Sequence, residues 1–349
     1  MSQRFSVERL RRFVADVFEA IGALPEHAAV TADRLIEADL RGRNGHGLMR
    51  VRQFSNRVRS GGVNLRPEIT VQRETEVTAL IDGDNGLGPV VMTKAVETAI
   101  SKATDSGLAW IGTRNSNHAG AAGVYPALAL KEGLIGVYMA VAAGNVMPPW
   151  GGLDRLLGTS PLAVAIPALD EVPFQLDIAT TVTSHGSIRV KQQAGEPLPV
   201  GWVVGRDGEP ITDPAKADDG FLLPIGGYKG AGLNFAIGIL AGVFNGAAFG
   251  TDVVGMGKAT DSPSNTGQAI LVMRPDLFCP REEFLQTMDR HLREFRASTP
   301  AGGEPVRLPG ERAMELEAEQ REIGIPVPPI LLAELQQLAS ELGLNDRLA

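Results

Sequence analysis

Gly226-Gly-Tyr-Lys-Gly-Ala-Gly232 is the nearest this chain comes to the glycine-rich turn of a dinucleotide crevice, and its spacing is wrong. A Rossmann turn needs G-x-G-x-x-G between a strand and a helix, so that glycines admit a pyrophosphate to the helix N-terminus. No such string occurs in the 349 residues. A P-loop is also absent, and DGDNGLG at Asp82 to Gly88 fails as a calcium loop because Leu87 stands where the sharp turn needs glycine. There is no GxSxG elbow, and the five histidines show no HExxH spacing, so no metal site is expected. A nucleotide, if bound, is not held in a Rossmann crevice.

Downstream of that stretch, Ala231 to Phe249 carries no charge, with glycines at 238, 242 and 246. The asparagines at 234 and 245 and the adjoining Lys229 argue against a membrane span, and the segment reads as a soluble helix buried on all sides, at a subunit interface. Upstream, short β-rich runs begin near Val77: VTALID, GLAWIGTR, GLIGVYMAVA, LAVAIPA and PFQLDIA, with AILVM after the glycine helix. Both ends read as helical. Ser6 caps a first helix ending near Gly22, Pro25 opens a second reaching Leu40, and a third runs from Gly47 to Arg59. After Pro280 come REEFLQTMDRHLREFRAS, ERAMELEAEQREI and ILLAELQQLASELG. The expected fold is α/β in the mixed α+β sense, with a helical N-terminal lobe over 1–70, a β-rich centre over 71–279, and C-terminal helices over 280–349 packing with the first lobe.

Composition excludes several classes. A formal charge of −8 opposes nucleic-acid binding, and the single Cys279 rules out an intrachain disulfide or a cysteine zinc site. The N-terminus lacks the apolar core of a secretory signal and reads as the start of a helix, which with the cysteine usage suggests a cytoplasmic protein. The 41 glycines exceed the usual share of about 7% and imply many tight turns.

One pair carries chemistry. His46 and Arg50 lie four residues apart where a glycine-flanked loop becomes a helix, which places both on one helical face. An imidazole can give a proton to a carbonyl oxygen while a guanidinium grips the neighbouring carboxylate through two parallel hydrogen bonds. At a helix N-terminus the dipole would also disfavour a second positive charge on the histidine.

Together with NSNHAGAAGVY around His118, AVAAGNVMPPWGG, GTSPLAVAIP, LDIATTVTSHG, GYKGAGL and VRLPGER, this pair resembles the malate/L-lactate dehydrogenase family of non-Rossmann NAD(P)-dependent oxidoreductases. The likeness runs in order along nearly the whole chain, and the MPPWG and GTSPL runs look closest to the 2,3-diketogulonate reductase branch. The resemblance implies hydride transfer between NAD or NADP and C2 of a small 2-oxo or 2-hydroxy carboxylate, in a homodimer whose central domain holds cofactor and substrate. It assigns His46 as catalytic proton donor, Arg50 as the carboxylate clamp, and Thr159, His185 and Gly186 as borders of the substrate. For the cofactor it implies His118, Ala119, Gly120, Ala121 and Ala122, then Asp177, Ile178 and Ala179, then Tyr228 and Lys229, and last Gly310 and Glu311. Two departures stand out. Gly45 replaces the serine that often precedes the catalytic histidine, and Ser187 stands where some cyclic imino-acid reductases carry an aspartate, so the usual Ser-His-Asp relay is absent. Two alternatives follow: a piperideine- or pyrroline-2-carboxylate reductase, and a relative that binds nucleotide without turnover.

Overall fold

The structure, a computed structural model, describes residues 2–257, 259–344 and 348. Its elements in order are β1 (Gln3–Phe5), α1 (Val7–Ala20), α2 (Pro25–Leu40), α3 (Val51–Arg59), β2 (Thr70–Glu74), β3 (Thr78–Asp82), α4 (Gly88–Ser106), β4 (Leu108–Ser116), α5 (Pro126–Lys131) and β5 (Ile135–Ala140). There follow β6 (Leu162–Ile166), β7 (Phe174–Ile178), α6 (His185–Ala194), β8 (Val203–Val204), β9 (Phe221–Leu222), α7 (Tyr228–Ala241), β10 (Thr266–Met273), α8 (Arg281–Arg296), α9 (Glu311–Ile323), β11 (Ile325–Val327) and α10 (Pro329–Glu341).

Seven strands form one sheet in the order β2-β3-β4-β10-β5-β6-β7. Only β3 and β4, joined through α4, run parallel; the other neighbours are antiparallel. This is the physical counterpart of the missing glycine fingerprint, because a doubly wound crevice needs parallel strands with helical crossovers on both faces. Register decides the two faces. Ile111, Ile270 and Tyr138 stand side by side on β4, β10 and β5 and face a core with Met92, Ala95 and Val96 of α4. One position along, Ala269 and Met139 pack instead against Ile237 and Ala241 of α7. Glycines let α7 approach closely: a Cβ on Gly267 would lie 2.0 Å from the Ala241 carbonyl oxygen.

A second core gathers Leu10, Phe13 and Phe18 of α1, Leu35 and Ile36 of α2, Phe54 of α3, and Leu335 and Leu338 of α10. Ser6 caps α1 by accepting the Arg9 N–H, as its position suggests. The opening residues differ from expectation, since Gln3–Phe5 form a strand paired with β11 before the helix begins. The hydrophobic segment also differs. Its helix ends at Ala241, and only one face is buried, with Phe235, Ile239, Val243 and Phe244 between 40% and 70% exposed. Among the described residues, no helix is long and apolar enough to cross a membrane.

Candidate active site

Helix α2 ends in a Schellman turn. The Gly42 N–H donates to the Asp39 carbonyl and the Arg43 N–H to the Ala38 carbonyl, with Gly42 at φ +72°. The chain then makes two successive 3-10 turns, Asn44–His46 and Leu48–Arg50, before α3 starts at Val51. The α-helix expected from Gly47 is therefore absent over its first turn, and His46 and Arg50 do not share a face by helical period. Gly47, at φ −103° and ψ −127°, breaks the path between them. The break has a tertiary cause, because the Leu48 N–H is claimed by the buried Asp39 carboxyl at 2.7 Å.

Both side chains nevertheless sit in one environment. The His46 ring stacks on that of His118, centroids 5.7 Å apart and planes 10° from parallel, and Phe54 meets His118 edge-on. Gly120 donates its N–H to His118 Nδ1 at 3.0 Å, which leaves the proton of a neutral ring on Nε2. The Asn117 side chain anchors this loop by donating to the carbonyls of Asn85 and Gly86. Burial, then the charges of Arg50 and Arg43, push the His46 pKa down to about 4, so the depression arises from burial and arginines rather than a helix end. The same burial holds His118 well below the ordinary histidine range.

Arg50 donates from Nε to the Gly45 carbonyl at 2.7 Å and from Nη1 to the Gln53 side chain at 2.5 Å. Among the described residues no carboxylate lies within ion-pair distance of it, and burial with the charge of Arg189 pulls its pKa down to about 10. A desolvated cation without a counter-ion is costly unless something completes it. The first turn of α6 closes one side, with a Cβ on Gly186 lying 3.7 Å from the Gly45 Cα. Next to Gly186, His185 Nδ1 stands 4.0 Å from Asp218. Ser187 hydrogen-bonds the capping Ser184 hydroxyl at 3.1 Å. Thr159 is tied through its carbonyl to the Thr180 N–H at 2.9 Å, at the exit of β7.

Next to this turn lies a cavity of about 370 Å³, lined by Arg41, Arg43, Ala121, Gly123, Asp177, Gly310 and Arg312 among others. Arg43 joins the two regions, since it pairs with Asp177 at 3.2 Å and its charge also reaches His46. Burial lifts the Asp177 carboxyl above its ordinary value against the pull of Arg43. The cavity thus gathers Ala121, Asp177 and Gly310, three of the positions assigned to the cofactor. Others stand elsewhere. Ala119 and Ala122 are in the core under the sheet, Ile178 pairs with Leu162, and Glu311 is engaged by Arg296 at 2.7 Å and by the Leu308 N–H. Tyr228 and Lys229 are exposed at the start of α7, where Tyr228 meets Trp150 edge-on. The sequence motifs do not single out Asp39, Arg41, Arg43 or Arg312, which the structure brings to the turn and the cavity; the closely spaced Arg41 and Arg43 were the one available signal. No group of three or more His, Cys, Asp or Glu among the described residues is placed to hold a metal ion.

Residues 5–336 match the family described as malate/L-lactate dehydrogenase. The chain belongs to that family. The L-sulfolactate dehydrogenase of Methanocaldococcus jannaschii is 38% identical over 338 residues, covering 97% of both chains. Its solved structure superposes with a TM-score of 0.91 over 98% of each chain. The malate dehydrogenase of Pyrococcus horikoshii is 36% identical over 98% of this chain and 96% of its own. The Δ1-pyrroline-2-carboxylate reductase of Ancylobacter novellus is 31% identical over 96% of this chain and 97% of its own. As a member of the malate/L-lactate dehydrogenase family the protein is an oxidoreductase acting on small acids, and the family's pyridine nucleotide suits the cavity. Its arginines match phosphate charge, and a side chain at Gly123 would crowd the lining, because a Cβ would stand 3.0 Å from the Asp177 carboxylate.

Proposed function

We propose that this enzyme reduces, reversibly, the C2 carbonyl of a small 2-oxo carboxylate, with NAD or NADP as the nucleotide. One observation carries the reading: Arg50, half-buried and without a counter-ion among the described residues, lies beside two stacked histidines that desolvation and neighbouring arginines keep neutral. Bound nicotinamide would supply the hydride. Arg41, Arg43 and Arg312 would hold the phosphate-bearing part of the nucleotide, with Asp177 beside it.

The protein's share is charge and proton management. Arg50 takes the substrate carboxylate, trading its Gln53 contact for a bidentate pair. That carboxylate offsets the Arg50 charge, the second cause after burial of the low His46 pKa, and so favours a proton on the imidazole, which delivers it to the nascent alkoxide at C2. In oxidation the neutral His46 is already the base. His118 supports the ring from behind, Thr159, His185 and Gly186 border the substrate, and a second copy of the chain completes a homodimer.

The test is loss of reduced-nicotinamide absorbance with NADH and with NADPH, against the 2-oxo acids corresponding to sulfolactate and malate, diketo sugar acids and cyclic imines. Turnover of at least one 2-oxo acid, with its KM sharply raised in Arg50→Met, supports the reading; silence on all substrates with nucleotide still bound would favour the non-catalytic alternative. The pyrroline-carboxylate relative supports the cyclic-imine alternative, whereas Ser187, bonded to Ser184, offers no acid at the relay position.

A further inference from the structure

Asp39 belongs to none of the roles above, yet it touches the catalytic turn at its centre. The last six residues of α2, Leu35 to Leu40, are all buried between the helical core and the sheet layer, so this end of the helix is a fixed post. From it the Asp39 carboxyl, 3% exposed, accepts the Leu48 N–H at 2.7 Å. It also packs flat on Gly47, where a Cβ would stand 2.2 Å from Oδ2 and 2.4 Å from Oδ1. Gly47 and Leu48 form the peptide between the two 3-10 turns. One turn ends at His46 and the other at Arg50.

We propose that Asp39 is a positioning residue, which sets the placing of His46 relative to Arg50 by pinning the peptide between them; this rests on the catalytic reading of those two residues. A buried carboxylate without a cation is a poor anchor, whereas the neutral acid still accepts the Leu48 N–H and carries no buried charge. Burial supports the neutral form, pushing the Asp39 carboxyl up to about 8 against the Leu48 N–H, which pulls it down. Charged groups on the elements around it are directed elsewhere. Arg41 pairs with Glu317 of α9, which also holds Arg321; Arg43 pairs with Asp177; Arg34 and Lys131 share Glu37; Arg50 is held by Gly45 and Gln53. His46 is the titratable group on the turn itself. Ionisation of Asp39 above about pH 8 therefore places an uncompensated charge against the turn.

Asp39→Asn and Asp39→Ala are compared for kcat and KM across pH, and for hydrogen exchange at the Leu48 amide. Asparagine keeps an acceptor and cannot ionise, so its kcat should match wild type near neutrality and lack the wild-type decline above about pH 8. Alanine should lose kcat by on the order of tenfold to a hundredfold, as misplaced catalytic groups do. Its KM for nucleotide should hold, with faster Leu48 exchange. Should Asp39→Ala fail to fold, Asp39→Asn decides alone. Wild-type kcat and pH profile in Asp39→Ala, or an unchanged alkaline decline in Asp39→Asn, overturns the proposal. If His46→Ala keeps full activity, the catalytic reading fails separately, while faster Leu48 exchange in Asp39→Ala still supports the anchor.

Discussion

The Arg50 guanidinium is charged and the His46 ring beside it is held neutral, and among the described residues no carboxylate stands within ion-pair distance of either. In the proposed reaction the substrate carboxylate would supply that balance. Binding of an unreactive carboxylate analogue near pH 5 should therefore take up a proton, read as a dependence of calorimetric heat on buffer ionisation enthalpy; buffer-independent heat would contradict the coupling. Arg50→Met should raise KM for the 2-oxo acid on the order of a hundredfold, the cost of leaving a charged group unmatched. It should not lower Tm, since it removes a half-buried charge that has no ion-pair partner among the described residues. His46→Gln should cut kcat on the order of a hundredfold or more, the usual worth of a positioned acid or base. In the unfolded chain His46 returns to its ordinary value of 6.5, so it takes up protons before the native state does, and stability is lost as pH falls from there toward about 4. That loss should shrink in His46→Gln. These residues were legible because imidazole and guanidinium at short spacing carry chemistry on their face. Asp39 was not, because an aspartate in a helix reads as solvated until tertiary packing shows it on a backbone amide.

At the scale of elements, helix α8 shows how a carboxylate secures a loop. Asp289 accepts the N–H groups of Leu169, Asp170 and Glu171 in the connection between β6 and β7 and pairs with Arg293 at 3.1 Å. Burial pushes its carboxyl up, but those donors outweigh burial and hold it below its ordinary value. The stabilisation is therefore present above that ordinary value and disappears as pH falls through the lowered one. Asp289→Ala should cost about 1–3 kcal/mol near neutrality, the price of orphaned buried donors, read from denaturant unfolding, with the deficit narrowing in acid. Six β-rich runs were legible because alternation and β-branched residues persisted where both faces are covered. Strand β2 was not: four of its five residues are exposed, so TVQRE carries no apolar period. β1 and β11, three residues each, exist only through their pairing. The false α-turn over 47–50 came from reading an i to i+4 spacing as a helix when a buried acid and a glycine bend the chain otherwise.

For the molecule as a whole, the unbalanced feature is the outer face of α7. The inner face, with Gly230, Ala231, Asn234, Ile237 and Gly238, packs on the sheet, while Phe235, Ile239 and Leu240 face outward and Val243 and Phe244 continue the apolar surface beyond the helix. A helix apolar all round is normally covered on every side, and apolar surface of this kind marks an interaction site. The second copy of the chain proposed above would cover that face and so match the sequence reading of a helix buried all round. The same helix begins at Tyr228, beside the exposed Trp150, so association would also bear on a residue assigned to the cofactor. Sedimentation should find wild type as a dimer and Phe244→Glu as a monomer with unchanged far-ultraviolet dichroism, because a carboxylate cannot be desolvated against a second apolar face without a partner. A wild-type monomer at micromolar concentration, or a Phe244→Glu variant that still dimerises, would mean that something other than a second copy covers α7.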